Sequence, residues 1–309
     1  MTLYSKKHYD CIQVHNLPDF LVFAAAIPKL FGAKVILDIH DMMPDFYAAT
    51  INREMDSLPV RLIVLEEQLS CRFADRVICV TENARQALIG RGVPEEKISI
   101  VMNVADSEIF NRKAEENKIL DDNQDFRLVY HGSFTKRYGV DLIVHAINQL
   151  RDQIPGIHLT LIGGGDFRDH LIGLTEEYNL EGNVHFSENL VISTKLPELL
   201  RDCDIGIVPN HNDYFTDGLL PTKLMEYTAL GIPVIAAKTT TISTYFDETM
   251  LMFFEPGNIT DLSAKIYELY RNPQMRLELI HNSNRFNEQY RWDEIAAEYT
   301  HMVDGLIHQ

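Results

Sequence analysis

One segment in the last third of the chain places a lysine and a glutamate where they could bind a phosphorylated ligand. The segment reads GLLPTKLMEY over residues 218–227. A proline near its start and a glycine beyond its end predict a helix that begins at Pro221 or the next residue and stops at Gly231. Lys223 then lies in the first turn, and Glu226 lies about one turn later on the same face of the helix.

The N-terminus of this helix could hold a diphosphate. Backbone N–H groups at the start of a helix attract anions, and a lysine in the first turn adds a charge-assisted contact. The loop residues that would present such groups are Gly218, Leu219 and Leu220. Glu226 could accept hydrogen bonds from sugar hydroxyls, as acidic residues do from ribose in dinucleotide folds. The alternative is an ordinary helix cap with a solvated lysine and glutamate, and the motif alone leaves both interpretations open.

Two further glycine loops follow predicted strands. The first has a cationic pair behind a glycine and contains Gly132, Ser133, Lys136 and Arg137. Loops at the carboxyl ends of parallel strands bind ligands in doubly wound folds, although each cation could also be a solvent-exposed turn residue. The second loop, residues 163–165, would let the backbone approach a ligand closely, for example at Gly164. Arg168 stands where a dinucleotide fingerprint would have glycine, so NAD binding is not expected.

His40 follows a strand predicted at residues 35–39. A histidine at this end of a parallel strand would face a cleft between two domains if the domains oppose one another. His15 ends the preceding predicted strand in a similar position. The alternative is a structural turn in which Asp38 or Asp41 caps His40.

The composition is that of an ordinary globular chain, with 309 residues, 46% apolar and 24% charged. A formal net charge of −17 argues against a nucleic-acid partner, because phosphate neutralisation needs a concentrated basic face. The four cysteines show no CxxC pairing and are expected to be reduced core residues. No apolar run reaches membrane-spanning length. The sequence therefore predicts a cytoplasmic protein, with peripheral association at a membrane left open.

The sequence shows no other pattern that is typical of catalysis. It has no His, Cys and carboxylate group at metal-ligand spacing and no GxSxG elbow of a hydrolase. Asp202 and Asp204 superficially match the DxD metal motif of another class of sugar-transfer enzyme. Asp204 opens an apolar strand, however, and is interpreted as a turn residue. Neither a metal nor a cofactor is expected.

The elements that would position these residues form two βα series. In the first, helices near residues 18–31, 54–73 and 83–92 separate apolar strands near 11–15, 35–39, 76–80 and 98–101. The second has strands near 128–131, 159–162, 184–186, 205–208, 234–236 and 251–254. Near-continuous apolar strands that alternate with helices predict parallel sheets covered on both faces. The predicted fold class is therefore α/β, with two Rossmann-like parallel-sheet domains.

Shifts in composition predict the domain boundaries. Residues 1–110 form the first domain, a polar and charged stretch at 111–125 is the linker, and residues 126–285 form the second domain. Residues 286–309 are predicted to be an amphipathic helix that returns to the first domain. Trp292, the only tryptophan, is expected to anchor this helix to a domain surface.

Taken in chain order, these motifs resemble the retaining nucleotide-sugar glycosyltransferases of family 4, which have the GT-B fold of two Rossmann-like domains facing a cleft. The resemblance covers nearly the whole chain from about Tyr9, and residues 221–236 are its most specific part. It implies transfer of a sugar, with retention of anomeric configuration, from a nucleoside-diphosphate donor. The acceptor would be a carbohydrate or a lipid-linked molecule.

The resemblance also implies roles for individual residues. Glu226 would contact the donor ribose, and His40 would lie near the donor sugar. Arg137 and Lys223 would hold the diphosphate and stabilise the charge that develops on it, so no metal would be required. His40, Arg137 and Lys223 are therefore the candidate catalytic residues, and the remaining loop residues named above are candidate donor-binding residues.

Two departures from the family pattern shape the expectation. Gly218 lies eight residues before Glu226, where the family has the first of two glutamates, and Asp217 is adjacent to it. The chain also begins late in the pattern, so the first domain is expected to lack on the order of two βα units. A partner chain could supply those units, and transfer by the isolated chain is expected to be poor. A non-catalytic nucleotide-sugar-binding subunit and a nucleotide-sugar epimerase are the alternatives.

Overall fold

The structure is a computed structural model of the 309-residue chain, and it describes residues 8–111, 125–187 and 191–308. The chain forms two compact units. The N-terminal unit comprises Met1–Asn103 with Trp292–Gln309, and the C-terminal unit comprises Val104–Arg291. Nearly all of the linker predicted at 111–125 lies outside the described residues. No helix in the described part of the chain is long and apolar enough to cross a membrane.

The described residues of the N-terminal unit form a four-stranded parallel sheet whose strands follow the order of the chain. The strands are β1 Cys11–His15, β2 Lys34–Ile39, β3 Arg76–Cys79 and β4 Ile98–Ile100. Nearly all side chains of β2 and β3 are buried, which explains their continuous apolar sequences. The register pairs His15 with Asp38, so two neighbouring strand ends bring polar side chains together.

The helices of this part of the chain are α1 Ala26–Leu30, α2 Met43–Ile51, α3 Leu58–Phe73 and α4 Glu82–Gly90. The single helix predicted at 18–31 is wrong over most of its length, because Asp19–Ala25 is a 3₁₀ helix. The sequence pattern predicts no helix at the position of α2, although Pro44 in its first turn is a helix-start signal. Helix α4 begins where predicted because the Thr81 side chain accepts a hydrogen bond from the backbone N–H of Ala84 over 3.1 Å.

The C-terminal unit contains a six-stranded parallel sheet in its described residues. Its strands are β5 Phe126–Ser133, β6 Ile157–Gly164, β7 Val184–Phe186, β8 Ile205–Val208, β9 Val234–Ala237 and β10 Met252–Phe254. They lie in the order β10, β9, β8, β5, β6, β7. Strands β5 and β6 are longer than predicted, because their pairing continues through Gly132 with Gly163 and Ser133 with Gly164. Two of the candidate glycine loops therefore start side by side on neighbouring strands.

Helices cover this sheet and connect its strands. They are α5 Val140–Leu150, α6 Arg168–Glu177, α7 Leu196–Leu200, α8 Thr222–Ala229, α9 Thr240–Tyr245, α10 Ile259–Arg271 and α11 Pro273–Gln289. Helix α8 contains the lysine and glutamate of the GLLPTKLMEY segment, and it begins at the predicted residue. Its neighbour in sequence, β8, lies next to β5 in the sheet, which brings α8 towards the end of β5.

The last helix, α12 Trp292–Ile307, belongs to the N-terminal unit. The single helix predicted at residues 286–309 is wrong at its start, because α11 continues to Gln289 and α12 begins separately. Trp292 is 54% exposed and does not serve as a buried anchor. One face of this helix packs against the sheet residues Ile36 and Ile78. The side chains on that face are Tyr299, Met302, Val303 and Leu306.

Candidate functional site

Lys223 lies beside the carboxyl end of β5, where the first turn of α8 meets the strand. A Cβ atom at Gly132 would lie 3.1 Å from the Cε of Lys223 and 3.2 Å from its Nζ. Gly132 also has a φ of +123°, which residues with a side chain rarely adopt. Glycine at this position therefore leaves room for the ammonium group next to the strand end.

Aromatic side chains hold this ammonium group. Lys223 Nζ donates to Tyr130 Oη over 3.0 Å, and that hydroxyl donates to the Ser133 carbonyl over 2.8 Å. Nζ also lies 4.3 Å from the ring centroid of Tyr130 and 5.2 Å from that of Tyr138. Burial lowers the pKa of Lys223 to about 8, and the nearby Glu226 carboxylate opposes this shift. A bound anion would favour the charged form of the lysine.

Glu226, the second charged residue of α8, is bonded to a buried histidine on β5. His131 Nε2 lies 2.5 Å from Glu226 Oε2, and His131 is 5% exposed. The backbone N–H of His131 donates to Tyr227 Oη over 3.1 Å, and His131 Nδ1 lies 2.9 Å from the same hydroxyl. These contacts fix α8 to β5, and so they fix the position of Glu226 relative to the strand end.

One neutral tautomer of His131 satisfies this network. In this assignment Nε2–H donates to Glu226, while Nδ1 accepts from the Tyr227 hydroxyl, which in turn accepts from the His131 backbone. Burial raises the pKa of Tyr227 well above its usual value, so the hydroxyl keeps its proton. One oxygen of the Glu226 carboxylate is committed to His131, and a carboxylate has a second oxygen that can accept from ligand hydroxyls.

The start of α8 presents backbone amides rather than a side-chain cap. Its N-cap is Pro221 in an extended conformation, and no side chain in the described part of the chain caps its first turn. The amides of Gly218 and Leu219, in contrast, donate to carbonyls three residues earlier, over 3.1 and 3.3 Å, and so are used within a 3₁₀ turn. A diphosphate would therefore meet the first-turn amides of α8. A donor-binding role for Gly218, Leu219 and Leu220 stays a prediction.

Asp217, which is adjacent to the position of the absent first glutamate, contacts the start of α9. Its Oδ1 accepts a hydrogen bond from the backbone N–H of Thr240 over 2.7 Å, at the start of α9. A Cβ atom at Gly218 would meet nothing within 4 Å. One oxygen of the acid therefore supports the fold, and the neighbouring glycine leaves open space.

The glycine loop after β6 packs tightly against the end of β5. A Cβ atom at Gly163 would lie only 2.0 Å from the carbonyl oxygen of Gly132. Arg168 supports this loop by donating to the carbonyls of Gly163 over 3.2 Å and Ser187 over 3.0 Å. The arginine that replaces the fingerprint glycine is thus a structural residue. Gly164, the last residue of β6, lies at this strand end, and its role towards a donor stays a prediction.

The cationic pair after β5 lies in a single 3₁₀ turn, Lys136–Tyr138. Lys136 is exposed, whereas Arg137 is partly buried and its guanidinium lies 5.3 Å from the ring centroid of Phe215. The carbonyl of Arg137 also accepts from the backbone N–H of His211 over 3.1 Å. Arg137 therefore lies against the connection that leads from β8 to α8. Diphosphate binding by this pair stays a prediction.

Asp204, the second acid of the DxD-like pattern, supports the sheet. Its Oδ2 accepts from the backbone N–H of Arg127 over 2.8 Å, and its own N–H donates to the Arg127 carbonyl over 2.7 Å. These bonds align β8 with β5. Asp204 thus lies directly before β8, as the sequence predicts.

Replacing Gly132 with alanine is expected to destabilise the protein by about 1 to 3 kcal/mol, the range for a side chain forced into a sparsely populated backbone region. The new methyl group would also displace the end of Lys223. Chemical denaturation measures the loss. Gly218→Ala is the matched control, because its Cβ atom would enter open space without a positive φ. Equal stability of the two variants would contradict this account of Gly132.

His40 belongs to the N-terminal unit and forms a cluster with two residues at the ends of β1 and β2. His40 Nε2 lies 2.9 Å from His15 Nδ1 and 3.4 Å from Asp38 Oδ2, and His15 Nδ1 lies 3.0 Å from the same oxygen. Asn16 fixes the backbone, because its Oδ1 accepts from His40 N–H over 3.0 Å and its Nδ2 donates to the Asp41 carbonyl over 2.6 Å. Three residues that show no metal-ligand spacing in the sequence therefore lie close enough together to hold a metal ion.

Within the C-terminal unit, the structure brings part of the predicted site together. The end of β5 and the start of α8 unite Gly132, Ser133, Lys223 and Glu226, whereas His40 lies in the other unit. Sequence reasoning missed three residues that position the charges: Tyr130, His131 and Tyr227. Two signals were available, since His131 ends the strand predicted at 128–131, just before a glycine, and Tyr227 directly follows the glutamate.

The same segments match a known family. The family model described as "Glycosyl transferases group 1" matches residues 111–286, which is more than half of the chain and includes both charged residues of α8. The chain belongs to the group 1 glycosyl transferases. Residues 2–109 of this glycosyltransferase match the model described as "Glycosyltransferase Family 4". The family predicted from the sequence is therefore confirmed.

Curated relatives of this glycosyltransferase are distant. It is 25% identical over 254 residues to the N,N'-diacetylbacillosaminyl-diphospho-undecaprenol alpha-1,3-N-acetylgalactosaminyltransferase of Campylobacter jejuni, covering 78% of this chain and 63% of the relative. It is 23% identical over 318 residues to the chitobiosyldiphosphodolichol beta-mannosyltransferase of Debaryomyces hansenii, covering 92% of this chain and 66% of the relative. The chain thus spans just under two thirds of the length of each of these relatives.

Solved structures show the same fold. HepE of Anabaena, crystallised in complex with UDP, has a TM-score of 0.78 at 18% identity, covering 98% of this chain and 81% of HepE. Sucrose-phosphate synthase of Thermosynechococcus elongatus has a TM-score of 0.80 at 21% identity, covering 99% of this chain and 76% of the synthase. The predicted α/β class with two parallel sheets, as in GT-B glycosyltransferases, is confirmed.

Proposed function

We propose that this group 1 glycosyltransferase moves a sugar from a nucleoside-diphosphate donor to an acceptor, with retention of configuration at the anomeric carbon. The observation that carries the proposal is the start of α8, where the Lys223 ammonium and the Glu226 carboxylate are fixed beside Gly132. A cation and uncapped helix amides suit a diphosphate, and a carboxylate one turn later suits ribose hydroxyls. The fold shared with HepE, which was solved with UDP, supports this class of ligand.

In this proposal the C-terminal unit binds the donor. Lys223 and the first amides of α8 contact the diphosphate, and Arg137 adds a second cation from the loop after β5. Glu226 accepts from the ribose with the carboxylate oxygen that His131 leaves available. The diphosphate is then bound by protein groups alone, so nucleotide binding is expected to persist in EDTA.

The reaction exchanges one bond at the anomeric carbon for another. The bond from this carbon to the oxygen of the β-phosphate breaks, and a bond to the acceptor hydroxyl oxygen forms on the same face. The acceptor proton passes to the leaving phosphate oxygen. Lys223 and Arg137 stabilise the negative charge that develops on the diphosphate, which is the kind of electrostatic contribution that preorganised cations make.

We infer a carbohydrate or lipid-linked acceptor from the names of the relatives. One of them acts on a diphospho-undecaprenol derivative and another on a diphosphodolichol derivative. Both acceptors join a sugar to a long-chain lipid through a diphosphate. The N-terminal unit would contribute the acceptor side, with His40 near the transferred sugar.

The proposal is tested with the purified chain and radiolabelled UDP- and GDP-sugars. Polyprenyl-diphosphate-linked and soluble sugars serve as acceptors. The expected result is labelled acceptor, formed slowly by the isolated chain, whose new linkage keeps the donor configuration by NMR, and loss of this product in Glu226→Ala. Nucleotide binding without any transfer would instead support a binding subunit, and conversion of the free donor to its epimer would support an epimerase. Absence of nucleotide binding would reject the site.

Replacing His40 with alanine is expected to lower kcat by about one to two orders of magnitude, because a hydrogen bond to a developing charge contributes about 1.5 to 3 kcal/mol. The affinity for UDP should stay unchanged, since the proposed contact is to the sugar. Steady-state kinetics and calorimetry in EDTA separate the two effects. His301→Ala, an exposed change in the same unit, is the control. An equal loss of UDP affinity or of folding in His40→Ala would favour a structural role.

A further inference from the structure

Three side chains of the N-terminal unit direct metal-ligating atoms towards one another at the ends of β1 and β2. His15 Nδ1, His40 Nε2 and Asp38 Oδ2 lie between 2.9 and 3.4 Å apart. The parallel register creates this group by placing His15 opposite Asp38. The two imidazoles are 60% and 40% exposed, and the Asp38 side chain is 8% exposed. Solvent can therefore deliver an ion to a carboxylate that the fold holds in place.

The size of this triangle fits one divalent ion. Zn²⁺ lies about 2.0 to 2.2 Å from imidazole nitrogens and carboxylate oxygens. An ion about 2.1 Å from all three atoms would lie roughly 1 Å outside their plane, which leaves positions for water on its far side. The two nitrogens lie 2.9 Å apart, and a shared cation would remove the repulsion between their lone pairs. Both rings can rotate to direct those lone pairs at the ion because they are exposed.

The carboxylate is oriented by a second layer of hydrogen bonds. Gln13 Nε2 donates to Asp38 Oδ2 over 2.6 Å, and the Tyr299 hydroxyl donates to Gln13 Oε1 over 2.6 Å. Metal-ligating carboxylates are normally held by such partners, and the loss of one typically costs 10 to 100-fold in metal affinity. Helix α12 therefore contributes to the cluster through Tyr299.

A second pair of histidines lacks this convergence. In the C-terminal unit, His158 Nδ1 lies 3.3 Å from His185 Nε2, with ring centroids 5.4 Å apart. The carboxylate of Asp125 lies 3.8 Å from the other ring nitrogen of His158. The three groups therefore do not face a common point, and this pair is a matched control for the first.

We propose that His15, Asp38 and His40 bind one divalent transition-metal ion of the zinc class. Two imidazoles and one carboxylate suit Zn²⁺, Co²⁺ or Ni²⁺, whereas Mg²⁺ and Ca²⁺ favour sites built from oxygen atoms. The ion would be coordinated by Nε2 of His40, and His40 is the residue proposed to lie near the transferred sugar. Inhibition of transfer by zinc is therefore expected, and this consequence rests on the proposed function, whereas metal binding does not.

The test is calorimetric titration of Zn²⁺ into the full chain after treatment with EDTA and desalting. Wild type, His158→Ala and His185→Ala are expected to bind one Zn²⁺ at this site with equal affinity. His15→Ala and His40→Ala should each bind it at least about 100-fold more weakly, because they lose a ligand rather than a supporting partner. Both altered side chains are exposed, and circular dichroism checks that the variants are folded.

Co²⁺ provides a second measurement that needs no variant. Visible absorption bands of bound Co²⁺ should appear in the wild-type chain and disappear when one equivalent of Zn²⁺ is added. Unchanged zinc affinity in both His15→Ala and His40→Ala, or an equal loss in the His158 and His185 controls, would overturn the proposal. Zinc binding without inhibition of an active transferase would leave the metal site standing and reject His40 as a group that contacts the sugar.

Discussion

Replacement of Lys223 with alanine is expected to lower kcat/KM for glycosyl transfer by about 10²- to 10³-fold, the range observed when one preorganised group is removed from a site of developing negative charge. The leaving diphosphate gains charge as its bond to the sugar breaks. Tyr130 holds the ammonium in place over 3.0 Å, so little reorganisation is needed at that moment. Binding of UDP should also weaken by about one to two orders of magnitude, as expected for a lost charge-assisted hydrogen bond.

The lysine also predicts how nucleotide affinity depends on pH. Burial lowers the pKa of Lys223 to about 8 in the free protein, and a bound diphosphate would raise this pKa again. Below pH 8 the ammonium is charged before the nucleotide arrives, and affinity should be constant. Above pH 8 the lysine must take up a proton on binding, so the dissociation constant should rise towards about tenfold per pH unit.

Calorimetric titration of UDP and GDP between pH 7 and 9 measures this dependence. In Lys223→Ala the affinity should be weaker and independent of pH across this range. Lys238→Ala is the control, since Lys238 is exposed and pairs with Glu248 on the surface. If the affinity falls above pH 8 to the same extent in wild type and in Lys223→Ala, the proton taken up on nucleotide binding goes to a group other than Lys223.

Much of the C-terminal sheet could be predicted because its signals are local. The strand Ile205–Val208 is a continuous apolar run between Asp204 and Pro209, and it was predicted with the observed bounds. The start of α8 was equally clear, because a proline precedes the helix. The carboxyl ends of β5 and β6 could not be predicted, because glycines weaken the sequence pattern of a strand while their backbones still pair in the sheet.

The contacts that decide the chemistry could not be predicted, because they join residues far apart in the chain. His131 and Glu226 are separated by 95 positions, and His15 and His40 by 25. Nothing in the local sequence shows which strand end a given helix turn will meet. The 3₁₀ turn that uses the amides of Gly218 and Leu219 could not be predicted for another reason. Short 3₁₀ turns have no hydrophobic period in their sequence.

Replacement of Arg91 with alanine is expected to destabilise the protein by about 1 to 3 kcal/mol, the cost of leaving the buried Glu67 carboxyl group without its hydrogen-bond donor. Arg91 follows α4, and its guanidinium lies 3.0 Å from the carboxylate of Glu67 on α3 and also contacts Asp45 on α2. The Glu67 side chain is 0% exposed. Arg85→Ala is the control, because Arg85 pairs with two more exposed glutamates and should cost at most about 1 kcal/mol.

The pH dependence of this loss distinguishes an unpaired carboxylate from simple loss of packing. Burial raises the pKa of Glu67 to about 8, and Arg91 acts against that shift. A carboxyl group whose pKa is raised on folding favours the folded state at low pH, and this contribution is lost as pH rises from the unfolded value near 4.5 to the folded value. Without Arg91 the folded pKa should rise further, so Arg91→Ala should cost less at pH 5 than at pH 8. Adding Glu67→Gln should recover part of the loss at pH 8. Urea denaturation at both values measures these differences, and a cost that is independent of pH would mean that Arg91 stabilises the unit by packing alone.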